Sequence, residues 1–449
     1  MERFAINELI KWNEGKARKP LIVWGARQVG KTYLIKEIFA KRYYKDKYIY
    51  IDCKVEDEIR EFCSNTASAE KIIEYISLRK GRSINENTLL IFDEVQECPN
   101  IVSALKYFCQ DFRNIPVIAT GSMVRIKIQR ETHKRGVKEA ERFLFPVGKI
   151  NQITVYPMSF DEFLFNSNKI LYTKIEDLYK RRQGLDADIH KLALEYVYKY
   201  LLIGGMPEAV ASFLDNGDLL EAREILKDLY DNYLSDMELY QASQESVLRS
   251  RNLFANIYKE LNKENKSFSP SLIEEKSKTR DFATSINWLT LAHIVNQSYQ
   301  LKEHIVLPLM MDNESNFRLF LGDIGMFSYQ SGINASVFIS NERETTLSGI
   351  FFENFIANEL IAKGHKLFYW KGKGANEIEF IVESNNKIFP IDVKKGKGTL
   401  NSLGKFAEHN KFEYAIKVSK NNYGYDESQK LLTVPFYYFP FIAKDLKNQ

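Results

Sequence analysis

The chain has 449 residues, 45% of them hydrophobic and 27% charged, with a formal net charge of +4. That length predicts two to four domains with sizeable cores, and the composition is that of an ordinary globular protein. The small net charge excludes bulk attraction to a polyanion. The four cysteines, Cys53, Cys63, Cys98 and Cys109, have no C-x-x-C spacing, which argues against a disulfide scaffold or a zinc ribbon.

Taken in chain order, residues 1–10 read as an amphipathic helix with charges from the start and no secretory h-region. Leu21–Trp24 reads as a short buried strand. It runs into Gly25-Ala-Arg-Gln-Val-Gly-Lys-Thr32, which fits G-x-x-x-x-G-K-[ST], and an amphipathic helix follows over Tyr33–Ala40. Strand, glycine loop and helix together make a polyphosphate cradle. Gly25 and Gly30 let backbone N–H groups turn inward, Lys31 brings a point charge to the β and γ phosphates, and the Thr32 hydroxyl is the expected Mg²⁺ ligand. The candidate nucleotide-binding set is therefore Gly25, Ala26, Arg27, Gln28, Val29, Gly30, Lys31, Thr32 and Tyr33.

A second strand is expected near Tyr48–Asp52. A third, Thr88–Asp93, is apolar throughout after Thr88 and ends in Asp93-Glu94, as suits a central parallel strand covered on both faces. Ligands of open α/β sheets bind at such strand ends. Asp93 is the expected second Mg²⁺ partner, and Glu94 the base for an attacking water. A fourth strand, Val117–Thr120, leads to Gly121-Ser122 and puts Thr120 or Ser122 beside the γ-phosphate. The basic stretch 125–138 reads as an exposed loop. Arg125, Arg130 and Arg142 are all candidate γ-phosphate partners.

From about 166 to 250 the pattern is helical. Gly204-Gly205-Met206-Pro207 is a turn with Pro207 at the start of a helix, and Leu219–Tyr240 repeats apolar residues at three- and four-residue steps. Residues 251–340 carry helices near 253–261, 270–276 and 281–293. Extended segments follow near 294–300, 305–310 and 317–321. Three helices and a β-ribbon are the pattern of a winged helix, with Thr284, Ser285 and Asn287 on the helix that would read a groove.

The last part is helical over Gly349–Lys363, and Glu353 lies in the middle of its apolar stripe beside Ile350, Ile356, Ala357 and Leu360. A carboxylate there is costly unless it is paired or holds a cation. Two strands follow, 377–382 and 388–394, and period-two alternation puts Asp392 and Lys394 on one face. Glu353, Glu379, Asp392 and Lys394 thus form an E…E…D-x-K set. Glu379 and Asp392 are candidate metal ligands, and Lys394 could position a water, which is the equipment of phosphodiester hydrolysis. A structural, salt-bridged face is the alternative reading. From Thr345 onward there are 15 Lys against 11 acidic residues, with lysines 394, 395, 397 and 405 clustered; this permits contact with nucleic acid or is simply a solvated face.

These motifs together resemble a bacterial and archaeal family: AAA-superfamily ATPases fused to a C-terminal domain of uncertain function that resembles the PD-(D/E)xK nuclease fold. The resemblance rests on the phosphate loop with its internal Arg27-Gln28, Phe92-Asp-Glu-Val-Gln96, Ala119-Thr-Gly-Ser122, Tyr156-Pro-Met-Ser-Phe-Asp-Glu-Phe163, Gly204-Gly-Met-Pro207, Gly322-Asp-Ile-Gly325 and Ile391-Asp-Val-Lys394. It implies ATP binding and a winged helix ahead of the C-terminal domain. Ala26 stands where the family usually has Pro, and Lys149 where it often has Arg. Glu379 and Asp392 exchange the usual Asp and Glu.

The expected architecture is an α/β P-loop AAA-type domain over 1–165, a helical lid or linker over 166–250, a winged-helix-like part over 251–340, and a small α/β restriction-endonuclease-like domain over 341–449. The expected function is Mg²⁺-dependent ATP binding and hydrolysis that drives or gates the winged-helix and nuclease-like modules. Two alternatives stay open: an ATP-gated DNA nuclease, and a non-catalytic ATP-switched regulator that docks DNA or a protein partner. Partners in scope are DNA, another protein or further copies of the chain. No membrane partner is expected, and the expected compartment is the cytoplasm.

Overall fold

The computed structural model describes residues 1–122, 145–241, 243–334, 349–374, 376–394 and 401–448. Arg125, Arg130, Arg142, Lys395 and Lys397 lie outside them. Two compact units emerge: one of residues 3–156 with 291–293, the other of 1–2, 157–290 and 294–449. The helix Phe160–Ser167 spans residue 165.

The first unit is built on a five-stranded parallel sheet of order β2-β3-β4-β1-β5. Its strands are β1 Leu21–Trp24, β2 Tyr48–Asp52, β3 Leu89–Asp93, β4 Val117–Thr120 and β5 Asn151–Thr154. Central strands must be apolar on both sides because helices cover both faces. Ile22, Trp24, Leu90, Phe92, Val117 and Ala119 face one hydrophobic cluster. Leu21, Val23, Leu89, Ile91 and Ile118 face the other. Strand β5 was not among the expected strands. Its sequence is Asn-Gln-Ile-Thr, exposed to half-buried, and it pairs with β1 at the sheet edge, where no two-sided burial marks it. The helix after the phosphate loop, Tyr33–Ala40, winds as a π-helix and buries Leu34, Ile35, Phe39 and Ala40.

The second unit holds a helical part and two sheets. Pro207 does open a helix, Pro207–Asn216, and a long helix covers Leu219–Tyr240. Strands β6 Val295–Leu301 and β7 Phe317–Leu321 form the expected antiparallel pair. They are not a free-standing ribbon: β8 Leu367–Lys371 pairs parallel with β6 and β9 Glu377–Ile378 pairs with β8, giving one sheet of order β7-β6-β8-β9. The extended segment expected at 305–310 is not a strand. Its backbone donors are taken by side chains instead, Ile305 N–H by Asn410 Oδ1 at 2.8 Å and Leu309 N–H by Glu383 Oε2 at 2.8 Å. In the helix Ala283–Leu291, Thr284 and Asn287 are exposed, but Ser285 is buried beside Ile286 and Trp288 and cannot read a groove.

The other sheet has order β10-β11-β12-β14-β13, with β10 Phe380–Ser384, β11 Lys387–Val393, β12 Ala415–Ser419, β13 Gly424–Asp426 and β14 Leu431–Pro435. The single strand expected over 377–382 is divided between the two sheets, and Glu379 sits at the bend. The helix Gly349–Ala362 is buried almost all round rather than along one stripe, as expected of a helix apolar on every side. Among the described residues no helix is long and apolar enough to cross a membrane.

Candidate functional site

The phosphate loop leaves β1 at Gly25, whose φ is +144°. A Cβ there would lie 2.3 Å from the Val155 carbonyl oxygen, so a side chain is excluded by backbone as well as by conformation. Arg3 braces the loop from outside, donating from Nη1 to the Val29 carbonyl at 2.9 Å and from Nη2 to the Tyr156 carbonyl at 2.7 Å. The Lys31 ammonium turns back into the loop, onto the carbonyls of Gly25 at 3.0 Å and Ala26 at 2.7 Å. Burial lowers its pKa to about 8, against the opposing pull of Glu94 and Asp93. Within the loop Gln28 is exposed at φ +59°, Arg27 is half-buried, and Tyr33 is exposed at the start of the helix.

The acidic strand end lies against this loop. Thr32 Oγ1 donates to Asp93 Oδ2 at 2.6 Å, and the Tyr50 hydroxyl donates to the same oxygen at 2.9 Å. Glu94 N–H donates to Asp93 Oδ1 at 2.9 Å. Glu94 itself is in the left-handed region at φ +50°, unusual for a residue with a side chain and a form of strain found at functional sites. Burial raises the pKa of its carboxyl, while a hydrogen bond from Gln96 Nε2 works the other way. Thr120 is fully buried, and its hydroxyl donates to the Val23 carbonyl on the neighbouring strand at 3.1 Å. Its oxygen is thus committed inside the sheet, whereas Ser122 is half-buried beyond the strand end. Sequence reading missed Tyr50 and Arg3. Tyr50 alternates with Ile49 and Ile51 on β2, the one available signal for a polar group on the ligand side of that strand.

In the second unit the E…E…D-x-K residues come together. Lys394 Nζ is 2.6 Å from Asp392 Oδ1 and 3.4 Å from Glu379 Oε1, and Glu379 Oε2 accepts from Val393 N–H at 3.1 Å. Glu353 Oε1 accepts from Lys266 at 2.6 Å. Lys266 also lies 3.7 Å from Glu377, and Glu377 is paired with the buried Arg318. The Arg318 guanidinium stacks over the Tyr369 ring at 3.9 Å. Burial, then the neighbouring Asp392 charge, pushes Glu379 up to about 8. Burial depresses Lys394, but Glu379 and Asp392 more than offset it and its pKa is raised. Two carboxylate oxygens, Glu353 Oε2 and Asp392 Oδ2, are buried with no hydrogen-bond partner. Lys266 and Arg318 were not anticipated. They lie far back in the sequence, in the loop after the helix Gln244–Leu261 and on β7, and no local spacing ties them to Glu353. Among the described residues no group of three or more His, Cys, Asp or Glu side chains has the arrangement of a metal cage.

A parallel sheet with a glycine loop, lysine and threonine after its first strand and an Asp-Glu pair after its third defines a P-loop nucleotide-binding domain. Residues 17–164 match the family described as an AAA domain. Residues 348–437 match a domain of unknown function, DUF4143, and residues 194–337 match another, DUF8612. No curated protein matches the chain. Among solved structures, the replication initiator DnaA bound to AMPPCP and single-stranded DNA is 14% identical, with a TM-score of 0.27, over 64% of this chain and 85% of that one. PCH-2 of C. elegans is 12% identical, with a TM-score of 0.21, over 51% of this chain and 58% of that one. Likenesses this low carry no argument about ligands or partners.

Proposed function

We propose that the protein is a Mg²⁺-dependent ATPase whose turnover drives or gates the activity of its second unit. The observation that carries this reading is the 2.6 Å contact of Thr32 Oγ1 with Asp93 Oδ2 at the mouth of a loop whose lysine is already buried within it. Two hard oxygens at that spacing suit a small hard cation. Thr32 and Asp93 would hold Mg²⁺ directly or through its waters, and the bound ion would neutralise phosphate charge. Loop amides would bind the phosphate oxygens, Lys31 would exchange the Gly25 and Ala26 carbonyls for the β and γ phosphates, and Tyr50 would keep Asp93 in place. Glu94 would accept the proton of the attacking water as its oxygen bonds to the γ-phosphorus and the bond to ADP breaks. The raised pKa of Glu94 makes it a better base than an exposed carboxylate. The direct test is phosphate release from ATP with Mg²⁺ and again with excess EDTA. We expect turnover with the metal and none with the chelator; equal release in both would remove the reading.

A second reading, metal-dependent DNA cleavage by the second unit, is favoured by the unpartnered Glu353 Oε2 and Asp392 Oδ2. An unpaired buried carboxylate oxygen is costly, and a divalent ion is one way to satisfy it. Lys394 would then position the water. Strand cleavage should require Mn²⁺ or Mg²⁺ and vanish in Asp392→Ala and Lys394→Ala, with Mn²⁺ binding by calorimetry lost in the first. Absence of cleavage on duplex, branched and single-stranded DNA would leave salt-dependent docking as the role of this unit.

A further inference from the structure

A cavity of about 730 Å³ lies in the second unit, apart from the E…E…D-x-K residues. Its walls come from the helix Lys169–Lys180, the turn after it, strands β13 and β14, and the C-terminal helix Phe439–Asn448. The volume falls within the roughly 300–1,000 Å³ of small-molecule sites. Its lining is rich in tyrosine: Tyr179, Tyr414, Tyr423 and Tyr425 all contribute.

The polar groups of these walls divide into two sets. One set is satisfied within the protein: Tyr179 donates to Asp445 Oδ2 at 2.6 Å, and Lys180 is 3.0 Å from Glu176. The other set is not. Arg182 and Lys444 are exposed and in no ion pair among the described residues. The hydroxyls of Tyr414 and Tyr423 make no hydrogen bond there either, and both feel the Arg182 charge. A phenol is protonated at neutral pH and burial raises the pKa of both further, so they are available as donors. Tyr425, on the exposed edge strand, leaves 54% of its surface open.

Aromatic faces, free phenol donors and two uncommitted cations around one cavity suit a ligand that joins a flat ring to an anion. We propose that this cavity binds a nucleotide, its base stacked on the open ring of Tyr425 and its phosphate held by Arg182 and Lys444; the Tyr179, Tyr414 and Tyr423 rings already pack on Phe441, Phe389 and Tyr438. Stacking on aromatic side chains tolerates any base, and guanidinium and ammonium groups recognise phosphate without reading sequence. The nucleotide could be free or the end of a single strand, since the chemistry of the two is shared.

The test uses the full chain carrying Lys31→Ala, so that the phosphate loop does not obscure the result. AMP is titrated by calorimetry, and a fluorescein-labelled ten-residue oligothymidylate by anisotropy. Binding of either probe is expected, weakened about tenfold or more in Arg182→Gln with Lys444→Gln and again in Tyr425→Ala. These are exposed side chains, so folding is not at stake; circular dichroism of each variant checks it. AMP binding alone identifies a free nucleotide. Oligonucleotide binding at least tenfold tighter than AMP identifies a strand end. If neither probe binds, or if the double substitution leaves binding unchanged, the proposal is wrong.

Discussion

Glu94→Gln should hold ATP as well as the parent chain and turn it over about 10²- to 10⁴-fold more slowly, the usual worth of a positioned general base. The substitution keeps shape and removes only the proton acceptor. Two local features make Glu94 the residue to change. Its left-handed backbone fixes the side chain at the end of β3, next to Asp93, and Gln96 holds one carboxylate oxygen. Glu94 is not needed to bind phosphate, so loss of turnover with retained affinity separates its role from that of the loop. Single-turnover hydrolysis with nucleotide binding measured alongside checks this. Parental turnover in the variant would remove Glu94 from the chemistry.

Lys31→Ala should weaken ATP binding about 10²- to 10⁴-fold. Charge-assisted hydrogen bonds contribute about 1.5–3 kcal/mol each, and an ammonium that spans two phosphates makes two of them. The resting contacts of Lys31 with the Gly25 and Ala26 carbonyls add a second consequence. Without the ammonium, those carbonyls lose their donor, so the empty loop loses order as well as charge. The depressed pKa gives the pH dependence a definite sign. Lys31 in the empty loop gives up its proton near pH 8, whereas bound phosphate would hold that proton more tightly. Affinity for ATP should therefore be flat below pH 8 and fall by about tenfold per pH unit above it, one proton being linked to binding. Calorimetry at pH 7, 8 and 9 on the parent and on Lys31→Ala checks both points; in the variant the slope should disappear.

The nucleotide-binding core was legible in the sequence because its physics is local. A strand buried on both faces must be apolar, a loop that wraps phosphate needs glycine at fixed places, and both rules act within about a dozen residues. Strand β5 escaped because an edge strand is not covered on both sides, and Asn151 and Gln152 carry no periodic signal. Thr120 ends its strand as its position predicts, but the partner of its hydroxyl, Val23 on another strand 97 residues away, could not be read locally. Glu353 stood out as a carboxylate among apolar residues. Its partner did not, because Lys266 is 87 residues earlier and reaches it only through the fold. The break at Glu379 has the same origin. Ile378 pairs with Trp370 in one sheet and Phe380 with Ile391 in the other, so the corner exists only once both sheets do.

The account stands or falls on whether residues 25–32 wrap a triphosphate beside Asp93 and Glu94. A calorimetric titration of the full chain with a non-hydrolysable ATP analogue and Mg²⁺ measures this directly. One metal-dependent analogue site per chain is predicted, with affinity that falls when EDTA removes the metal and again when Thr32 is replaced by Val; any binding in the tyrosine-lined cavity would not respond to either change. No heat of binding would contradict the account, as would binding indifferent to both the metal and Thr32.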